Sequence, residues 1–532
     1  MDTFNLNRPA RHRRTRRPVW ALMLATTALL IPQVTAPAVA GPQSDCETVL
    51  SAARLGSTRV SVMVRDLNTG AVVVEIEADA PRVPASNMKL LTTAAALDRL
   101  GADFRFSTRL EEVPTPEALR SDDGSGVSLR VVGDGDPGFG DPTLLATAGH
   151  DVRELVGLWT AAAAARLTAS GHAGYDRLLI DDRVLDREWT HPEWPGDQLN
   201  YYYCAQVAGL NFHENLMSVV PTPAPKKGAT PSIAVYPRFR GLDTTNRAKT
   251  GDSDVFDIRR RAGTNRFSFN GTVRRERHAP YRITVHDPPM FFASYFRDEL
   301  QRAGVAVGPA VRVDASLGDD DPGAARSSTP GLLLHTVRTT LAGVLDRTNQ
   351  DSQNMFAEAL FKRLGHQLTG EPGSFTHGAA AVRTFLRDRL SARTGLAGVV
   401  VSDGSGMSPK NRVTARVVTS LLTELHGDPE LGPVFVASLA HGGYSGSLRS
   451  RRDKLRTLTG SVYAKSGYLG KSADYASSLS GYLVAPDGRA WAFSFLFNGF
   501  RPPLSNATIK RVQNDMLAAL DAKLVSAPAA GR

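Results

Sequence analysis

The sequence predicts an α/β chain of the α+β kind: one antiparallel sheet flanked by helices, with a large β-rich insertion dividing it. Three observations carry this. Hairpin patterns lie near both ends, at 59–76 and 479–497. Apolar residues recur at helical spacing in 86–101, 378–390, 414–425 and 506–524. Between the first of these helices and the second, 111–318 is dominated by short strand-like runs and Gly/Asp/Pro turns. At 532 residues the chain exceeds one ordinary domain.

Residues 1–40 read as an export leader. Arg8, Arg11, Arg13, Arg14, Arg16 and Arg17 form a basic start, 19–31 is apolar, and Ala38-Val39-Ala40 is a small-x-small cleavage site. The apolar run is short for a membrane span, which favours a cleaved leader over an anchor. Those arginines, set against Asp2 alone, hold half of the formal +10 charge. The remaining basic residues are scattered, which argues against a nucleic-acid partner. Cys46 and Cys204 both follow the leader; an oxidising compartment would permit a bridge, and spacing alone does not decide it.

In 59–76, Val60, Val62 and Val64 alternate with Ser61, Met63 and Arg65 before an Asp66–Gly70 turn. A helix follows, with Met88, Leu91, Ala95 and Leu100 on its apolar side and Gly101 ending it. A strand at 105–110 leaves this unit, and composition shifts at Glu111-Glu112-Val113-Pro114. Within 111–318 the reading places strands at 129–132, 177–180 and 271–285 and helices at 152–170 and 290–303. Asp181-Asp182 reads as a strand-end turn, with contact to a substrate residue as the alternative. The 314–330 stretch reads as a linker, and helical patterning resumes at 332–345. The final helix carries Ile509, Val512, Met516, Leu520 and Leu524 on one stripe, suited to packing on the sheet and giving at most weak membrane association.

Three short stretches carry chemistry. Ser86 and Lys89 stand three apart at the start of a helix, so they share a face. A serine there can pass its proton to a lysine amine kept neutral by burial or a nearby cation. By itself the pair is equally an N-cap serine with a solvated lysine. Ser352 and Asn354 diverge if both are helical; a turn just before the helix at 355–364 lets a hydroxyl and an amide face one cleft. Lys465-Ser466-Gly467 lies on a strand, where a cation and a hydroxyl suit a carboxylate and the glycine admits a substrate backbone. Gly470-Lys471-Ser472 ends like a phosphate loop but lacks the glycine five positions earlier. Neither Gly-x-Ser-x-Gly nor His-Glu-x-x-His occurs, so no serine-hydrolase elbow or zinc-protease helix is expected, nor any metal or cofactor.

Ser-x-x-Lys, Ser-x-Asn and Lys-[Thr/Ser]-Gly in this order form the signature set of penicillin-binding proteins and serine β-lactamases. The chain resembles the D-alanyl-D-alanine carboxypeptidase/endopeptidase family, the class C low-molecular-mass penicillin-binding proteins of peptidase family S13. That family sets its first two motifs apart by a large insertion, as here. Gly133-Asp134-Gly135-Asp136-Pro137, Gln206–Asn211 with Asn215, Ser402-Asp403-Gly404-Ser405-Gly406 and Gly446-Ser447-Leu448-Arg449 extend the likeness over nearly all of the chain after the leader. Ser466 departs from the family's usual threonine but keeps the hydroxyl. The stretch after Gly467 departs too, which bears on the shape of the cleft.

The resemblance implies a penicillin-binding/β-lactamase-like transpeptidase domain in two pieces, 43–110 and 319–526, around the inserted 111–318. It implies Ser86 as acyl-forming nucleophile, Lys89 as its base and Ser352, near Lys465, as proton relay to the leaving D-alanine. Asn354 would hold the substrate amide, Lys465 and Ser466 the terminal carboxylate, and the amides of Ser86 and Tyr468 the oxyanion. Lys465 is also expected to help keep Lys89 neutral. Implied partners are peptidoglycan peptides and β-lactams, in the periplasm or outer cell wall; oligomeric state is left open. None of Glu358, Glu371, Glu424 and Glu430 begins a Glu-x-x-x-Asn loop, so efficient β-lactamase turnover is not expected. The alternatives are an inactive wall-binding protein of the same fold and an exported esterase or D-aminopeptidase.

Overall fold

Six strands form the central sheet, in the order Ala440–His441, Ser461–Leu469, Ala476–Val484, Ala490–Asn498, Arg59–Asp66 and Val72–Ile76, each antiparallel to its neighbour. The computed structural model describes residues 41–526 apart from 121, 123, 315–330, 391–393 and 471–474. Residues 1–40, read above as an export leader, most of the expected linker and Lys471-Ser472 therefore lie outside the described residues. Both sequence-marked hairpins are present, and they pair with each other: Arg59 lies opposite Asn498. The simple inside–outside alternation expected for 59–66 gives way, because Ser61, Val62, Met63 and Val64 are all buried. Helices cover both faces. Met63, Ala492 and Leu496 pack with the Met88–Leu100 and Ala415–Gly427 helices, whereas Val62, Val64, Phe493 and Phe495 pack with the Asn506–Leu520 helix. The final helix thus spends its Ile509, Val512, Met516 and Leu520 stripe on the core.

The Met88–Leu100 helix is enclosed rather than amphipathic. Every residue from Met88 to Leu97 is buried, including Lys89, Thr92 and Thr93. A helix wrapped by core on all sides sits where its polar side chains must find protein partners.

A second, five-stranded sheet runs Ala310–Arg312, Leu178–Asp181, Val127–Val132, Arg105–Pro114, Leu332–Thr340. Arg105–Pro114 continues across 110/111 and pairs with Val127–Val132 on one side and Leu332–Thr340 on the other. The helical reading of 332–345 is corrected here. Leu332–Thr340 is a strand, and only Leu341–Asn349 is helix, capped by Thr340 Oγ1 accepting from Gly343 N at 3.3 Å. Thr336, Val337, Thr339 and Thr340 are β-branched and suit an edge strand, so pairing to Arg105–Pro114 overrides the apolar spacing. The single strand read at 271–285 is two, Phe267–Val273 and Tyr281–Thr284, belonging to different sheets. At Gly271, with φ +86°, a Cβ would lie 1.8 Å from Val255 O, so only glycine fits the crossing. The Val152–Ser170 helix has the expected bounds. Cys46 and Cys204 are both free and buried, so the bridge the sequence left open is not formed. No helix among the described residues is long and apolar enough to cross a membrane.

Candidate active site

Ser86 lies in a single 3-10 turn, Ala85–Asn87, that runs directly into the Met88–Leu100 helix. Ala85 takes φ +47°, and Ser478 Oγ donates to Pro84 O at 2.7 Å, which fixes the turn against the sheet. Three residues on, Lys89 Nζ is fully buried and donates to Ser86 Oγ at 3.2 Å, Asn354 Oδ1 at 2.7 Å and Ser405 O at 2.8 Å. Burial pulls its pKa from 10.5 down to about 7, opposed by the charges of Glu358 and Asp403. Burial is the leading cause at Lys89; the repulsion between the two amines acts on both of them and adds to burial at Lys465. There burial first, and then the Lys89 charge, hold the amine well below its ordinary value.

Ser352 occupies the turn before the Asn354–Thr369 helix, with φ +60°. The left-handed turn lets Ser352 and Asn354 both face the cleft, which two helical residues two apart could not do. Lys465 Nζ donates to Ser352 Oγ at 2.8 Å and to Ser466 O at 2.9 Å. Two lysine–serine pairs therefore stand in one place, Lys89 with Ser86 and Lys465 with Ser352. Asn354 joins the first pair through its Oδ1 and anchors its amide nitrogen on Tyr203 O at 2.8 Å. Ser466 Oγ donates to Ser447 Oγ at 2.9 Å. Gly467 lies so close to the Ala85–Asn87 turn that a Cβ there would sit 2.8 Å from Ser86 N. Ser86, Ser352, Asn354 and Tyr468 line one cleft of about 830 Å³, with Tyr202, Tyr203 and Met407 on its walls.

Several contributors carry no signal that residue chemistry alone could give. Ser405 acts through its carbonyl, which any residue could supply. The loop that presents it is held by Glu358, whose two oxygens accept from Gly404 N at 2.9 Å and Ser405 N at 2.8 Å. Burial pushes the Glu358 carboxyl up to about 8. Asp403 accepts from Gly406 N at 2.8 Å and Trp194 Nε1 at 3.0 Å, and a Cβ on Gly406 would meet Ala85 O at 1.8 Å. The Ser402–Gly406 motif is thus the wall behind Lys89. Asp181 and Asp182 lie elsewhere, paired with Arg183 and with Arg187 and Arg312, which favours the turn reading. Among the described residues no cluster of His, Cys, Asp and Glu suited to a metal ion occurs.

A lysine drawn toward neutrality beside a hydroxyl can serve a nucleophilic acyl transfer. The family model for the D-Ala-D-Ala carboxypeptidase 3 (S13) family matches residues 43–523. A D-alanyl-D-alanine carboxypeptidase of Actinomadura sp. is 31% identical over 477 residues, 87% of this chain and 81% of the relative. The crystal structure of penicillin binding protein 4 from Haemophilus influenzae superposes with TM-score 0.69 at 20% identity, covering 90% of this chain and 99% of that one. The same protein complexed with a β-lactam gives TM-score 0.65 at 18% identity, covering 90% and 99%. With its fold and nearly its whole described length accounted for, the chain belongs to the D-Ala-D-Ala carboxypeptidase 3 (S13) family and is a serine-type carboxypeptidase.

Proposed function

We propose that the protein is an exported D-alanyl-D-alanine carboxypeptidase, with endopeptidase activity on peptidoglycan cross-links, that works through an acyl-enzyme on Ser86 and is acylated by penicillin. The observation that carries the reading is the fully buried Lys89 amine, bonded to Ser86 Oγ and drawn toward neutrality at physiological pH. Lys89 takes the Ser86 proton as Oγ attacks the carbonyl of the penultimate D-alanine. The oxyanion is received by the Ser86 and Tyr468 amides, whose strand the missing Gly467 side chain lets approach. Ser352, hydrogen-bonded to Lys465 at 2.8 Å, relays the proton that Lys89 took from Ser86 to the departing D-alanine nitrogen, so Lys89 is neutral again and can take a proton from the water that follows. Asn354 orients the substrate amide, and Lys465 and Ser466 hold its terminal carboxylate. Water then releases the acyl group and Ser86 recovers its proton.

The β-lactam bound by the Haemophilus relative supports penicillin as a substrate analogue here. Penicillin release is slow, since no glutamate occupies a Glu-x-x-x-Asn loop after Asn354. Export rests on the arginine-rich, apolar and Ala-x-Ala order of 1–40. The test is covalent labelling by a fluorescent penicillin, read by intact mass. The parent takes one adduct and Ser86→Ala takes none; labelling of Ser86→Ala, or rapid steady-state hydrolysis of benzylpenicillin, overturns the reading. Digestion of cross-linked muropeptides with mass-spectrometric readout tests the endopeptidase part.

A further inference from the structure

Two motifs between the Ser86 and Ser352 pieces supply no reacting group: the Gly133–Pro137 turn with the Asp141 beyond it, and Gln206–Asn215. They meet beside Ser352. Arg347 Nη2 donates to Asp141 Oδ2 at 3.1 Å and to Glu214 Oε1 at 2.5 Å, while its Nη1 pairs with Asp351. Gln353 Nε2 donates to that same Glu214 oxygen, and Arg282 holds the other one. Asp351 and Gln353 are the two neighbours of Ser352, so both are tied to one buried cluster. Glu214, Arg347 and Gln353 are each less than 9% exposed, and Asp141 is wholly buried.

The backbone on both sides of the cluster is held in a shape side chains rarely choose. Ser352 has φ +60°; His213, Glu214 and Asn215 have +53°, +58° and +56° in succession. The asparagines keep the second run in place. Asn215 Oδ1 accepts from Phe212 N at 3.0 Å, and its Nδ2 donates to Gln206 O and Asn211 Oδ1, both at 2.7 Å. Such geometry persists where neighbours over-determine it, and it concentrates at functional sites.

We propose that Glu214 is a positioning residue for Ser352: through Gln353 and Arg347 it fixes the hydroxyl where a proton can pass to the departing nitrogen. The proposal rests on the leaving-group role given to Ser352 above. The experiment exploits a chemical difference between substrates. An amine must gain a proton as its C–N bond breaks, whereas a thiolate leaves without one. A peptide ending in D-Ala-D-Ala and the matching thioester are compared by kcat/KM, which reports acylation.

Ser352→Ala is the reference, expected to lose about a hundredfold on the peptide and far less on the thioester. Glu214→Gln and Gln353→Met are expected to lose about tenfold on the peptide in kcat, with KM and thioester turnover near the parent's. Glu214→Gln leaves two arginines, Arg282 and Arg347, facing two acids, Asp141 and Asp351, so the charge balance survives. Gln353→Met keeps every charge and stands in if the first variant does not fold. Equal loss on both substrates, or no loss on either, in the folded variants overturns the proposal. If Ser352→Ala itself fails to separate the two substrates, the leaving-group reading falls and takes the proposal with it.

Discussion

Replacing Gly467 by alanine tests the proposed oxyanion site at its narrowest contact. The added Cβ would lie 2.3 Å from Ser478 Oγ, 2.8 Å from Ser86 N and 3.0 Å from Pro84 O. The hydroxyl can rotate away at the loss of its 2.7 Å bond to Pro84 O. The two backbone atoms cannot. Carbon contacts settle at about 3.5 Å or more, so the Ser86 amide must retreat from the strand by about half an ångström or more. That takes one of two donors out of line with the developing oxyanion. Losing one such donor costs about 2.7–4 kcal/mol, or a factor of about 10²–10³ in kcat. The measurements are kcat on a peptide ending in D-Ala-D-Ala and the second-order rate of labelling by fluorescent penicillin, with the thermal midpoint as folding control. Both rates should fall together by that factor. A folded Gly467→Ala protein that labels within about threefold of the parent refutes the assignment of the Ser86 amide.

The acylation rate should titrate with Lys89. Its buried amine is depressed to about 7, and the neutral form is the proposed base, so the rate should rise through pH 7 and fall about tenfold per unit below it; a flat profile between pH 5 and 8 contradicts this. Glu358→Gln should destabilise by about 1–3 kcal/mol, because an amide oxygen cannot replace both acceptors facing Gly404 and Ser405. Calorimetry would register a fall of several degrees, and an unchanged midpoint would count against that view of the loop. The two cysteines should be silent toward a thiol reagent in the native protein and both reactive in denaturant, with no mass change on reduction. A gain of two hydrogens on reduction would show a bridge instead.

The sequence exposes what is local and chemical. Ser86 and Lys89 share a face by spacing alone, and the Pro486–Gly488 turn announces its hairpin. It hides what depends on packing. Leu332–Thr340 has apolar spacing compatible with a helix, and only its partner Arg105–Pro114 makes it a strand. Ser405 and Tyr203 contribute carbonyls, which leave no trace in residue type. In sequence Glu358 shows only that it begins no Glu-x-x-x-Asn loop; its neighbours, two amides of a distant loop, follow from the fold. The depressed Lys89 amine has the same origin, since enclosure of its helix on all sides cannot be read from a Ser-x-x-Lys tetrad.

The central sheet joins Arg59–Asp66 to Ala490–Asn498, strands about 440 positions apart along the chain. Closing a loop of that length costs about 5 kcal/mol in chain entropy before any pairing repays it. Asn498 of the last strand accepts from Val83 N at 2.7 Å and donates to Val83 O at 3.1 Å, so the stretch leading into the Ser86 turn is anchored only once that closure has happened. A polypeptide ending before Ala490 would carry Ser86 and Lys89 yet lack the strand that anchors the approach to their turn, so the pair depends on the part of the chain made last.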